Sequence, residues 1–344
     1  MIRVGWLSLD FGVSAMTRLQ VRDLVRRWHE LIMHANRARG LGQLPPPAGS
    51  VGATAEATHL AQRLAESLQL PLLLSTLPAR VRALTVVPDD SLHGFPFAAI
   101  VHAGQCLAER YALCVAFTHH ARLTPDAPSR QGEALAVAVS QGAGPFVPLP
   151  GVRRELDQVK MWLGRQRLPV RLLVDAAAQK EVVLSHLPQA AFVHMACHGV
   201  FEPNQPDRSG MVLIPNPGQR DTLSLRELST MSLHGLRHVT LSSCWSADHF
   251  ILPGRWIISL PQTFWRAGAQ SVLGCLWEVD DQVAVSFMAR FYDYVETYPR
   301  DEALRRTQLD CLQRRLPGCH DLDTTAPMYW AGYTLYGDYG RLKL

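Results

Sequence analysis

From residue 84 onward, short continuous apolar runs alternate with longer stretches in which apolar positions recur every three to four residues. The short runs fall near 84–88, 135–140, 170–174, 191–197, 238–243 and 269–276. Unbroken apolar character over so few residues is the signature of strands buried on both faces. The longer stretches, near 152–164, 179–187, 257–268, 281–295 and 300–316, carry helical spacing. Strands alternating with helices predict an α/β fold, a mostly parallel sheet covered by helices on both faces. Ahead of it, residues 14–38 and 55–69 are helical in pattern, separated by Leu44-Pro-Pro-Pro-Ala-Gly-Ser50, whose prolines and small residues mark a turn or linker. The division expected is a helical N-terminal region, 1–78, and an α/β domain, 79–344.

Two of the strand candidates end in reactive side chains. Ala191-Phe-Val-His-Met-Ala-Cys-His198-Gly199 closes on a histidine, and His238-Val-Thr-Leu-Ser-Ser-Cys244 on a cysteine 46 positions later. Open α/β sheets collect their chemistry at the carboxyl ends of strands. Neighbouring strands lie about 4.8 Å apart, so adjacent ends would let an imidazole take a thiol proton and leave a thiolate nucleophile. Gly199 allows a sharp turn, and its N–H together with that of Cys244 would form an oxyanion hole.

Plainer readings compete. Cys244 by itself could be a buried core thiol, as Cys197 and Cys275 are expected to be. His194 projects to the same side as His198 on a two-residue period and reads as a hydrogen-bonded core residue. Cys197 points away from both histidines and no second ligand pair stands at zinc spacing, so no metal site is expected. His119-His120 receives no role, Glu202 and Asp207 read as solvated acids, and Trp162, Trp265 and Trp330 as packing residues. Trp245, next to Cys244, is a candidate for lining a substrate cleft.

Six blocks in order resemble one family. They are Leu84-Thr-Val-Val-Pro-Asp-Asp-Ser-Leu-His-Gly-Phe-Pro-Phe-Ala-Ala-Ile100, Leu149-Pro-Gly-Val-Arg-Arg-Glu-Leu156, Ala196-Cys-His-Gly199 with Ser209-Gly-Met-Val-Leu-Ile214, Leu241-Ser-Ser-Cys244, Ala267-Gly-Ala-Gln-Ser-Val-Leu-Gly-Cys-Leu-Trp277-Glu-Val-Asp-Asp281, and Pro327-Met-Tyr-Trp-Ala-Gly-Tyr-Thr-Leu-Tyr-Gly-Asp338. Over roughly residues 80–340 the chain resembles the CHAT domain, a branch of the caspase and separase clan of cysteine proteases. Family members commonly follow the cysteine with an acidic residue and a small Thr-Gly pair, where this chain has Trp245-Ser246-Ala247. The resemblance implies a caspase-like fold and a cysteine endopeptidase with a His198–Cys244 dyad, requiring no metal or organic cofactor. It also implies latency until an activating partner or self-association acts, a place in prokaryotic defence or programmed cell death, activators linked to foreign nucleic acid, and a protein substrate such as a gasdermin-like pore former. A catalytically silent CHAT module acting as a protein-interaction scaffold is the alternative.

In separase-like relatives, which resemble the stretch Ser271–Trp277, an acid beyond this strand accepts an arginine. Asp281, with Asp280, is the corresponding candidate for holding Arg or Lys before the scissile bond. Asp281 is equally well placed to cap the helix that begins there, with Glu278 and Asp280 adding charge at its amino end. No side chain stands out to orient the imidazole of His198; a backbone carbonyl would suffice.

Composition narrows the class further. The chain has 344 residues, 47% hydrophobic, enough for a sizeable core. A net charge of +4 from scattered basic residues gives no footprint for nucleic acid. No apolar run reaches membrane-spanning length and no signal-peptide order opens the chain, so a cytoplasmic protein with no membrane contact is expected. Seven cysteines without paired spacing read as reduced thiols.

Overall fold

Eight strands form one sheet in the computed structural model, which describes residues 17–40, 49–118, 132–141, 146, 148–166, 168–200, 202, 204–214, 222–243, 249–252 and 256–344. They are β1 (Ala83–Val86), β2 (Ala112–Val115), β3 (Glu133–Ala138), β4 (Val170–Val174), β5 (Ala190–Ala196), β6 (His238–Ser242), β7 (Ser271–Cys275) and β8 (Tyr333–Gly337), in the spatial order β1-β2-β8-β7-β6-β5-β3-β4. Every neighbouring pair is parallel except β7 and β8. The sheet therefore has two parallel blocks of opposite direction. The apolar runs locate six of these strands to within a few residues; β2 and β8 were not anticipated, and β8 brings the reversal.

Every residue of β5 and of β7 is buried, which requires cover on both faces. On one face lie α4 (Gly151–Arg165) and α7 (Asp281–Val295), packed on each other. Phe192 of β5 meets Trp162 of α4 at 5.2 Å between ring centres, and Tyr292 of α7 at 6.0 Å. Other helices are α5 (Lys180–His186), α6 (Leu260–Ala267) and α8 (Arg300–Leu312). The helical spacing read at 257–268 overruns at its start: Trp256–Ser259 is a strand, hairpinned to His249–Leu252, and α6 begins where Ser259 accepts a hydrogen bond from Gln262 N and Pro261 occupies the first turn. The helix read at 300–316 stops at Leu312, short of Leu316-Pro317-Gly318.

Before the sheet come α1 (Arg18–Gly40), α2 (Gly49–Ser67) and α3 (Leu70–Thr76). Most of the proline linker, 44–48, lies outside the described residues. Helix α1 is not solvated on all sides. Trp28, 1% exposed, donates its indole N–H to Ala57 O at 3.0 Å and lies 5.2 Å from the ring of Trp277. Arg22 adds a two-pronged contact to the buried Asp90, at 2.9 and 2.8 Å. One hydrophobic cluster runs from Leu24 through the strands to Tyr336. Among the described residues no helix is long and apolar enough to cross a membrane.

Candidate active site

Strands β5 and β6 are hydrogen-bonded neighbours, parallel, with Ala196 in register with Ser242. His198 stands two positions beyond Ala196 and Cys244 two positions beyond Ser242 in sequence. The half-buried His198 is described; Cys244 and Trp245 lie outside the described residues, as do His119 and His120. After His198 the chain enters a small antiparallel sheet, in which Gly199–Val200 pairs with Gly210–Val212 and that strand with Thr222–Ser224. Val212 donates its N–H to His198 O at 2.8 Å. Gly199 is extended and in register with Met211, so its conformational freedom is not used for the sharp turn the sequence suggested. Ser243 Oγ donates to Met211 Sδ at 3.3 Å. The chain leading into Cys244 thus touches the Gly210–Val212 strand, the partner of Gly199–Val200.

The imidazole of His198 is stacked on Phe146, ring centres 5.0 Å apart and planes inclined by 28°. Carboxylates hold the backbone on both sides of Phe146 in sequence. Asp175, at the end of β4, is 6% exposed and accepts from Ser140 N at 2.7 Å, Ser140 Oγ at 2.9 Å, Gln141 N at 3.2 Å and the guanidinium of Arg153. It sits at φ 46°, a left-handed backbone that few non-glycine residues adopt. Burial pushes its pKa up, but the donors from Ser140, Gln141 and Arg153 outweigh it and leave it below the ordinary carboxylate range. Downstream, Leu149 N donates to Ser140 O at 2.9 Å, and Gly151 N donates to Asp281 Oδ2 at 2.6 Å.

Asp281 therefore does not cap its own helix. Asp280 is the N-cap of α7, accepting from Gln282 N at 3.0 Å and Val283 N at 3.2 Å, while Asp281 serves the first turn of α4. Burial raises the pKa of Asp281, the bond from Gly151 opposes this, and the neighbouring Glu155 carboxylate adds to the rise. Of the other acids weighed, Asp207 pairs with Arg226 and Glu202 is exposed, its backbone N–H bonded to Ser209 Oγ.

A family model for the CHAT domain matches residues 55–338. The chain belongs to the CHAT domain family. A 319-residue alignment with mouse (Mus musculus) tetratricopeptide repeat protein 28 is 26% identical and covers 77% of this chain but only 12% of that protein. The fold is similar to that of separase in the Saccharomyces cerevisiae separase–securin complex (TM-score 0.51, 11% identity, 95% of this chain and 23% of that one). It is also similar to that of the Arg-specific cysteine proteinase gingipain R (TM-score 0.54, 9% identity, 94% and 74%). At such identities the likeness to solved structures is one of fold.

Beneath the strand ends, the CHAT core contains a chain of polar side chains on the α4–α7 face. His194, fully buried, has Nδ1 2.8 Å from Tyr292 Oη, and Tyr292 donates to Thr240 Oγ1 at 2.7 Å. Because the hydroxyl hydrogen goes to Thr240, His194 Nδ1 is the donor toward Tyr292. His194 Nε2 stands 3.1 Å from Glu155 Oε1 without hydrogen-bond alignment. Thr240 continues to His238 Nε2 at 3.2 Å, and His238 Nδ1 to Ser271 Oγ at 2.7 Å, which also receives Arg300 Nη1 at 2.7 Å. Burial, then the charges of Arg300 and His194, hold His238 well below its ordinary pKa. Among the described residues no group of three or more His, Cys, Asp or Glu could hold a metal ion. Cys197 and Cys275 are core residues, their thiols pushed up to about 12 by burial. Phe146, Asp175 and the Gly151 contact escaped the sequence reading; the only available signal was the Leu149-Pro-Gly151 block itself.

Proposed function

We propose that this CHAT domain is a cysteine endopeptidase in which His198 and Cys244 form the dyad. The observation that supports the reading is the register of β5 and β6, in which Ala196 pairs with Ser242, His198 and Cys244 each following two positions later in sequence. His198 takes the proton of Cys244, and the thiolate attacks a peptide carbonyl. The N–H groups of Gly199 and Cys244 stabilise the oxyanion. His198 then protonates the leaving amine, and water releases the acyl group. Preference for Arg or Lys before the scissile bond rests on Asp281 and Asp280, beyond the end of the strand next to β6, with Trp245 lining the cleft. The Arg specificity of gingipain R, similar in fold, supports that choice. A protein substrate and activation by a partner or by self-association complete the proposal.

The test is alkylation by iodoacetamide or an arginyl peptide ketone at neutral pH. All six described thiols have pKa values raised by burial, so background labelling is slow. Labelling should fall on Cys244 and slow at least tenfold in His198→Ala, as expected for loss of a general base. Equal labelling of several cysteines in both proteins would sink the dyad and leave a scaffold.

A further inference from the structure

An imidazole that must accept a proton from one neighbour and return it to a leaving group has to keep its plane fixed through both steps. In many sites a carboxylate bonded to the distal ring nitrogen does this. Here the face of the ring is occupied: Phe146 lies on His198 at 5.0 Å, with planes 28° apart, within the range of offset-stacked aromatic pairs. Such a contact restrains the ring's tilt and rotation.

Phe146 would add nothing if its own backbone were unrestrained. Ser140 and Gln141, six and five positions before it, donate three hydrogen bonds to Asp175, which Arg153 holds in turn. Five positions after it, Gly151 donates to Asp281, whose own helix is started independently by Asp280. An added Cβ at Gly151 would run into the Asp281 carboxylate, so the fit there is close. Leu149 N to Ser140 O joins the two sides directly. Two buried or half-buried acids with no evident role in bond breaking are thus spent on the segment that brings one aromatic ring to one histidine.

We propose that Phe146 is a positioning residue for the His198 imidazole, held in place by Asp175 and Asp281 at either side. This deepens the peptidase reading and rests on it for its kinetic consequence, but not for its structural one. Asp281 consequently has a positioning duty, and a basic substrate side chain that engages its carboxylate would act on the same segment that holds His198.

The experiment combines side-chain NMR with kinetics on the full chain, comparing wild type with Phe146→Leu and Phe146→Tyr. Leucine keeps apolar bulk without a ring; tyrosine keeps the ring. The imidazole signal of His198, assigned by its absence in His198→Ala, should lose its ring-current shift in the leucine variant and retain it in the tyrosine variant. The leucine variant should alkylate Cys244 and cleave peptide about ten- to a hundredfold more slowly, with KM within about twofold, as for a misplaced catalytic group. Tyrosine should restore most of the rate. An unchanged His198 signal in Phe146→Leu would overturn the proposal, and so would an unchanged rate in an active enzyme. Loss of the ring-current shift in a protein with no peptidase activity in any form would leave Phe146 in its positioning role and remove the peptidase reading instead.

Discussion

Asp281 Oδ2 accepts the backbone N–H of Gly151 at 2.6 Å, tying the first turn of α7 to the first turn of α4 across 130 positions of sequence. The four leading N–H groups of a helix lack partners of their own, and an acid at that end also meets the positive end of the helix dipole. Pro150 at the N-cap of α4 supplies no side-chain acceptor, so Asp281 takes over the task.

Replacing Asp281 separates two effects. Its folded-state pKa is raised, so the native state binds that proton more tightly than the unfolded chain. The associated stability is present at low pH and is lost as pH rises through the raised value, which makes the ionised form costly at neutral pH. Asp281→Asn keeps an acceptor for Gly151 and removes the cost; in urea unfolding it should match or exceed wild type at pH 7. Asp281→Ala should lose about 1 kcal/mol, the usual value of a cap. Equal losses in both variants would refute this account.

Asp175 has the opposite sign. Its pKa is depressed, so its contribution is complete above the unfolded carboxylate value and disappears as pH falls through the folded one. Asp175→Asn should therefore destabilise by about 1.5–3 kcal/mol at pH 7, the range for hydrogen bonds to a charged acceptor. The gap to wild type should shrink in acid; one that stays constant from pH 7 down to the acid transition would contradict it.

Tyr292→Phe removes one hydroxyl from the buried chain and leaves His194 Nδ1 and Thr240 Oγ1 each short of a partner. A cost of about 1–3 kcal/mol is expected. Thr240→Val breaks the same link, so the double variant should lose less than the sum of the two. Additive losses would show that the residues do not act as one network.

Trp28 tests how α1 belongs to the molecule. Its indole fills the space against Trp277, whose own N–H is bonded to Met328 O at 2.8 Å. Trp28→Ala should cost about 3–5 kcal/mol and shift the unfolding midpoint of the whole chain. A separate early transition with the main one unmoved would mean that α1 and the sheet unfold independently.

Much of the architecture could be read from order alone. Six strands and the main helices followed from apolar runs and helical spacing, because strands covered on both faces and amphipathic helices leave local marks that survive without knowledge of their neighbours. The position of His198 was legible for the same reason: a buried strand, then a histidine, then glycine. What only the tertiary structure decided were partnerships between distant residues. Tyr333–Gly337 carries a weak strand pattern, and its antiparallel place beside β7 depends on the space that sheet leaves open. Phe146 on His198, Asp175 under Ser140 and Asp281 at Gly151 link positions 35 to 130 residues apart. Nothing in local periodicity encodes such pairs, since a side chain's own sequence sets what it can bond to, while packing of the helices and strands sets what it meets.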